Sequence, residues 1–164
     1  MQKNLTRSLS RLAAVKALYL HELTGEDHKK IIDNFIDNYI SITSASNEDK
    51  IDFSIMDNDL FQILVVNVVN RCEEIDIIIN NNLTDKWPDN RLEVILRSIL
   101  RAAVVELMGI VDVPAAVIIS EYVDITHAFY NGVEPNMANA VLDSIAKLLS
   151  NEDNIHSPLH KHKG

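Results

Sequence analysis

Cysteine is nearly absent: Cys72 is the only one in 164 residues. A single thiol excludes a disulfide framework within the chain and any zinc site built on cysteines. Glycine and proline are scarce too, with four of each. That leaves little material for the tight turns of an all-β sandwich or barrel. Aromatic residues make up only 5%. No apolar run approaches the roughly eighteen residues of a membrane span. The N-terminus has no apolar stretch ahead of a small-residue cleavage site. These absences lead to the expectation of a soluble, cytoplasmic protein without membrane attachment. Catalytic motifs are missing as well: there is no glycine-rich phosphate loop, no G-x-S-x-G elbow and no H-E-x-x-H.

What is present is a chain 47% hydrophobic and 24% charged. It is long enough for one domain that needs no metal or disulfide staple, and its composition argues against disorder. The net charge is −9, unevenly spread. Residues 1–20 hold Lys3, Arg7, Arg11 and Lys16 and no acid, a charge of +4 that leaves −13 for the rest. A basic end on an acidic body can orient a polyanion at one place; the plainer alternative is a solvated helix face.

Helical spacing dominates. Leu5, Leu9, Leu12, Tyr19 and Leu23 recur at three- and four-residue steps, predicting a first helix over about 6–23 with one buried stripe. Lys3, Arg7 and Arg11 sit four apart on nearly the opposite face. Lys16 falls on the apolar side, where its stem is expected to pack while its ammonium snorkels outward. Gly25 supplies a stop, and Asp27 caps a second helix carrying Ile31, Ile32, Phe35, Ile36, Tyr39 and Ile40. Residues 43–56 read as an exposed loop. Asp57 caps a long third helix running from Leu60 to Ile79, with Cys72 in its apolar stripe and Asn80, Asn81 and Asn82 at its fraying end. Trp87-Pro88 leads into a fourth helix over about 89–108, with Leu92, Leu96, Leu100 and Leu107 among its inward residues, ended by Gly109. Asp112-Val113-Pro114 starts a fifth, which stops at Asn131-Gly132 as an αL cap. Glu134-Pro135 opens a sixth reaching about Leu149. The expected architecture is a compact all-α bundle over residues 1–149, with 150–164 as a mobile tail.

Candidate sites are few. Glu121, Asp124 and His127 share one side of the fifth helix at a spacing that suits a carboxylate–histidine metal site. No second such motif exists in the helical body, and a solvated polar face is the plainer reading. His156, His160 and His162 lie in the tail, where a metal role is again the lesser reading. Cys72, flanked by Val68, Val69 and Ile75, reads as a core residue. Arg97 and Arg101 can form a basic patch, but ion pairs with Glu93 or Glu106 on their own helix are the expected use. No cofactor and no metal site is expected. From the residues alone the reading stops at a helical domain with one basic end.

Three segments together resemble the bacterial NusB family of transcription antitermination factors. Arg11-Leu12-Ala13-Ala14-Val15-Lys16-Ala17-Leu18-Tyr19 is similar to the family's arginine-led A-x-x-A-L-Y opening helix. Leu100-Arg101-Ala102-Ala103-Val104-Val105-Glu106-Leu107, then Asp112-Val113-Pro114 and Ile119-Ser120-Glu121-Tyr122-Val123, resemble its L-R-x-A-x-x-E-L, D-V-P and I-N-E-A-V elements in order. Met137 to Ala146 is close to F-V-N-G-V-L-D-x-I-A. Ala140 and the Glu134-Pro135 lead-in look most like alphaproteobacterial members. The resemblance spans about residues 7–149 and is weak over 24–90.

The resemblance implies two packed three-helix bundles, with six to seven helices, and a non-enzymatic role. It implies binding of the boxA element of nascent ribosomal RNA transcripts together with NusE, a small-subunit ribosomal protein, within an antitermination assembly on RNA polymerase. The family's RNA contact centres on an arginine-rich N-terminal stretch. Here that falls on Arg7 and Arg11, with Lys3 and Lys16 as neighbours. Ser8, Leu9 and Ser10 stand where other members are often basic, and Met137-Ala138 replaces Phe-Val. Three phosphate contacts would give a salt slope of only about −2 for single-stranded RNA, so affinity is expected to lean on NusE. Two other implications stay open: a protein-binding adaptor whose RNA role has decayed, and a stand-alone remnant of the NusB-like domain of a ribosomal RNA cytosine methyltransferase, whose catalytic domain this chain is too short to hold.

Overall fold

A computed structural model describes residues 2–44, 51–83 and 93–156. Among them are seven α-helices and one 3-10 turn: α1 (Gln2–Thr24), α2 (His28–Ser44), the turn (Phe53–Ile55), α3 (Asn58–Asn70), α4 (Cys72–Asn82), α5 (Val94–Leu107), α6 (Ala115–Phe129) and α7 (Glu134–His156). α1, α2 and α3 pack on one another, as do α5, α6 and α7, giving two three-helix bundles. α4 connects them and lies against α5 and α7. α5 is the central helix, touching α1, α3, α4, α6 and α7. No described helix is long and apolar enough to cross a membrane.

Local chemistry explains most of the boundaries. Gly25 and Gly109 both take positive φ, 69° and 85°, closing α1 and α5 in the conformation glycine adopts without steric cost. The Asp57 carboxylate accepts from Leu60 N at 3.1 Å and caps α3. Asp27 accepts from Lys29 N at 3.3 Å at the start of α2. Pro114 stands as the N-cap of α6, one residue before the first helical position.

Several expectations about the fold need correction. The long third helix is two helices, broken at Arg71 (φ −116°, ψ 21°), whose guanidinium grips Glu74. The break turns α4 away from the α1–α2–α3 bundle and onto α5 and α7. Of the loop expected over 43–56, residues 43 and 44 still belong to α2, and the described residues 51–56 are no simple exposed loop. Phe53 and Met56 are buried, and the Phe53 ring meets Phe35 edge-on at 5.2 Å. On α1 the stripe is not the one the spacing predicts, since Leu5 and Leu23 are half exposed. The middle of α1 is enclosed by α2, α3 and α5, so it buries Leu9, Ala13, Ala14, Val15, Ala17 and Leu18 around most of its circumference. Finally, α6 ends at an extended Tyr130, and Gly132 takes no positive φ. A Cβ at Gly132 would meet only the movable carboxylate end of Glu134, at 2.8 Å.

α7 continues past Leu149 to His156. Asn82 is held rather than frayed, its side-chain oxygen accepting from Ser144 on α7 at 2.8 Å. The Trp87-Pro88 lead-in and the first turn predicted for the fourth helix, Leu92 included, lie outside the described residues. So do His160 and His162, and the side chain of His156.

Candidate nucleic-acid interface

The acid-free start of α1 is anchored on two sides. Ser10, fully buried, donates to the carbonyls of Thr6 and Asp57 at 2.9 and 2.8 Å, tying α1 to the start of α3. Ser8 donates to both carboxylate oxygens of Glu121 on α6, at 3.0 and 2.8 Å. These short hydroxyls fit close to neighbouring helices, where a long basic side chain would not.

Of the four cations expected at this end, the three with described side chains, Arg7, Arg11 and Lys16, are not brought together. Arg7 is partly buried and forms no ion pair among the described residues. Lys3 lies one turn earlier in α1, and its side chain is outside the described set. Lys16 is nine residues on from Arg7, about half a circumference round the helix. Its ammonium, expected to snorkel outward, instead sits 5.4 Å from the centre of the buried Phe53 ring in a cation–π contact.

Arg11 points inward and is 2% exposed. Its Nε and Nη2 donate to the two carboxylate oxygens of Glu106 on α5, at 2.8 and 3.0 Å. Its Nη1 lies 3.7 Å from a Glu121 oxygen. Tyr122 on α6 donates its hydroxyl to Glu106 at 2.5 Å. The cluster therefore joins α1, α5 and α6 through fully or nearly buried polar groups. Burial alone would weaken the charge on Arg11; the hydrogen bond and charge of Glu106 more than offset it and raise its pKa. Burial first, and the Glu106 carboxylate second, hold the Tyr122 hydroxyl protonated well above the usual tyrosine range.

Arg97 and Arg101 find partners on other helices. Arg97 on α5 pairs with Glu22 on α1. Arg101 donates to Glu22 at 3.0 Å and to both oxygens of Asp76 on α4 at 2.8 and 2.7 Å. Glu93, expected to serve Arg97, accepts instead from Tyr130 at 2.9 Å. Cys72, read as core, is only half-buried, with its thiol 3.8 Å from Asp76. Asp124 and His127 are exposed on α6, while Glu121 is occupied by Ser8 and Arg11. No group of three potential metal ligands converges among the described residues.

Glu106 and Tyr122 are the residues whose role the sequence hid. Glu106 is a lone acid after four small apolar residues, and such an acid on a buried face requires a cation. That signal was available; its partner, 95 residues away in the chain, was not.

Comparison with known proteins gives a consistent result. Residues 8–147 match the NusB family. A transcription antitermination protein NusB from Brucella ovis, an alphaproteobacterium, is 39% identical over 155 residues, covering 94% of this chain and 88% of its own. Thermotoga maritima NusB has the same fold, with a TM-score of 0.68 and 29% identity over 86% of this chain and 90% of that one. A crystal structure of the antitermination factors NusB and NusE with double-stranded RNA matches at a TM-score of 0.67, with 24% identity over 86% of this chain and 96% of that one, a likeness of fold. With its two three-helix bundles, the motifs of α1, α5, α6 and α7 in order, and the match over residues 8–147, the chain belongs to the NusB family.

Proposed function

We propose that this protein is a transcription antitermination factor that binds the boxA element of nascent ribosomal RNA transcripts together with NusE. It acts in the cytoplasm within an assembly on RNA polymerase, and it supports transcription of ribosomal RNA operons. The role is non-enzymatic, as for the antitermination proteins it resembles over nearly their whole length. One observation carries the RNA part of this reading: a chain of the NusB family keeps an acid-free start to α1, with Arg7 unpaired among the described residues on an otherwise acidic protein. The fold it shares with a NusB crystallised with NusE and RNA supports the same partners.

Arg7 and Lys3 supply the positive charge for RNA phosphate in this reading. Two contacts give a salt slope of only about −1.4 for single-stranded RNA, which makes NusE the larger source of affinity. The test is fluorescence anisotropy of a labelled boxA RNA, with and without NusE, against a scrambled RNA at two salt concentrations. Tight, sequence-dependent binding that requires NusE is the expected result. Binding of NusE with no preference for boxA over the scrambled RNA would replace this reading with the adaptor one. The adaptor reading draws on the same scarcity of outward cations. Equal boxA affinity with and without NusE would remove the partner dependence.

A further inference from the structure

We propose that Arg11 is a positioning residue for RNA binding and touches no phosphate itself: paired with Glu106, it seats the basic start of α1 on α5 and α6. The inference rests on the reading that this end of α1 faces RNA. Three observations support it. The guanidinium is nearly inaccessible, and two of its donors are committed to a carboxylate that is itself 1% exposed. Were Arg11 to swing out to a phosphate, Glu106 would be left as an uncompensated buried charge, which is strongly destabilising. The buried pair is continuous with the surface end of the helix. Ser8, one turn earlier, clamps α1 to Glu121, and Arg11 reaches the same carboxylate at 3.7 Å. Arg7 extends from that clamped turn, four residues ahead of Arg11 on the same side of the helix.

Arg11 also acts on the local field. Glu121 retains 23% side-chain exposure beside the expected path of the RNA. The neighbouring guanidinium opposes its negative charge, which would otherwise repel phosphates from Arg7. Arg11 thus orients one cation and screens one anion from inside the fold.

The decisive comparison replaces the whole buried cluster with apolar groups of similar size, because a buried ion pair exchanged as a unit is often tolerated. The full-length protein, the Arg7→Gln variant and the triple variant Arg11→Met, Glu106→Leu, Tyr122→Phe are titrated into labelled boxA RNA across a range of salt, with NusE saturating. Arg7→Gln is expected to reduce the salt slope by about 0.7, the loss of one phosphate contact. The triple variant is expected to keep the slope of the unaltered protein. A natively folded triple variant that loses about 0.7, and about 0.7 more when Arg7→Gln is added to it, would show a phosphate contact made by Arg11 itself and overturn the assignment. A second measurement needs no variant: the arginine Nε–H resonances of the unaltered protein followed during RNA addition. Arg7 is expected to shift, while Arg11 keeps its position and its slow exchange with solvent. A shift and faster exchange at Arg11 overturns the proposal even if the triple variant fails to fold. Absence of salt-dependent binding by the unaltered protein, with NusE present, overturns the proposed function itself and this inference with it.

Discussion

Arg11 on α1 and Glu106 on α5 form a two-pronged ion pair at 2.8 and 3.0 Å, with their side chains 3% and 0% exposed. Breaking such a pair on one side leaves a charge stranded in the interior. Glu106→Leu alone should therefore lower stability by about 3–5 kcal/mol, read as a shift in the urea midpoint. A loss below about 1 kcal/mol would mean that Arg11 escapes to solvent at little cost.

How much of this was legible beforehand divides along a physical line. Helix existence followed from local spacing, and the stops at Gly25 and Gly109 from local chemistry, so both could be read. The break at Arg71 has no glycine, proline or capping residue to announce it, and only the packing of α4 on α5 and α7 reveals it. Spacing on α1 named Leu5 and Leu23 as buried, because a periodicity argument assumes one covered face; a helix enclosed by several neighbours violates that assumption. The site failed in the same way. Four cations on one helix look alike in sequence, and only the position of Glu106 on another helix separates Arg11 from Arg7.

Tyr122 makes stability depend on alkaline pH. Its hydroxyl is held protonated by burial and by Glu106, so its folded pKa lies well above the unfolded value of about 10. The unfolded chain loses that proton first. Stability is then fully present below about pH 10 and falls as pH rises above it, by up to about 1.4 kcal/mol per unit from this one group. Urea unfolding followed from about pH 8 to 11 should show a steeper decline in the unaltered protein than in Tyr122→Phe. Equal declines would mean that Tyr122 ionises in the folded state as readily as in the unfolded one.

Phe53 is the anchor of the segment between α2 and α3. It is 4% exposed, touches Phe35 and lies under the Lys16 ammonium. Phe53→Ala should cost about 3–5 kcal/mol. Ile55→Ala, two residues away but 46% exposed, should change stability by less than about 0.5 kcal/mol. Thermal melts of the two variants make the comparison, and a loss at Phe53→Ala as small as that at Ile55→Ala would show that the 3-10 turn contributes only loop.

Cys72 offers a readout of the ion-pair network around it. Its thiol is pushed above its usual pKa first by burial; Arg101 opposes this, and Asp76 adds to it by charge and by hydrogen bond. Asp76→Asn removes the acid's upward push and leaves Arg101 with fewer carboxylates to satisfy, so both changes favour the thiolate. Because the thiolate is the reacting form, alkylation of Cys72 at neutral pH should become faster by at least about twofold in Asp76→Asn. Glu73→Gln, an exposed neighbour absent from the groups acting on the thiol, should leave the rate unchanged. Mass spectrometry of iodoacetamide adducts over time distinguishes the outcomes. A rate raised equally by both substitutions would reflect general loosening of α4, and a rate unchanged by Asp76→Asn would mean that burial alone controls the thiol.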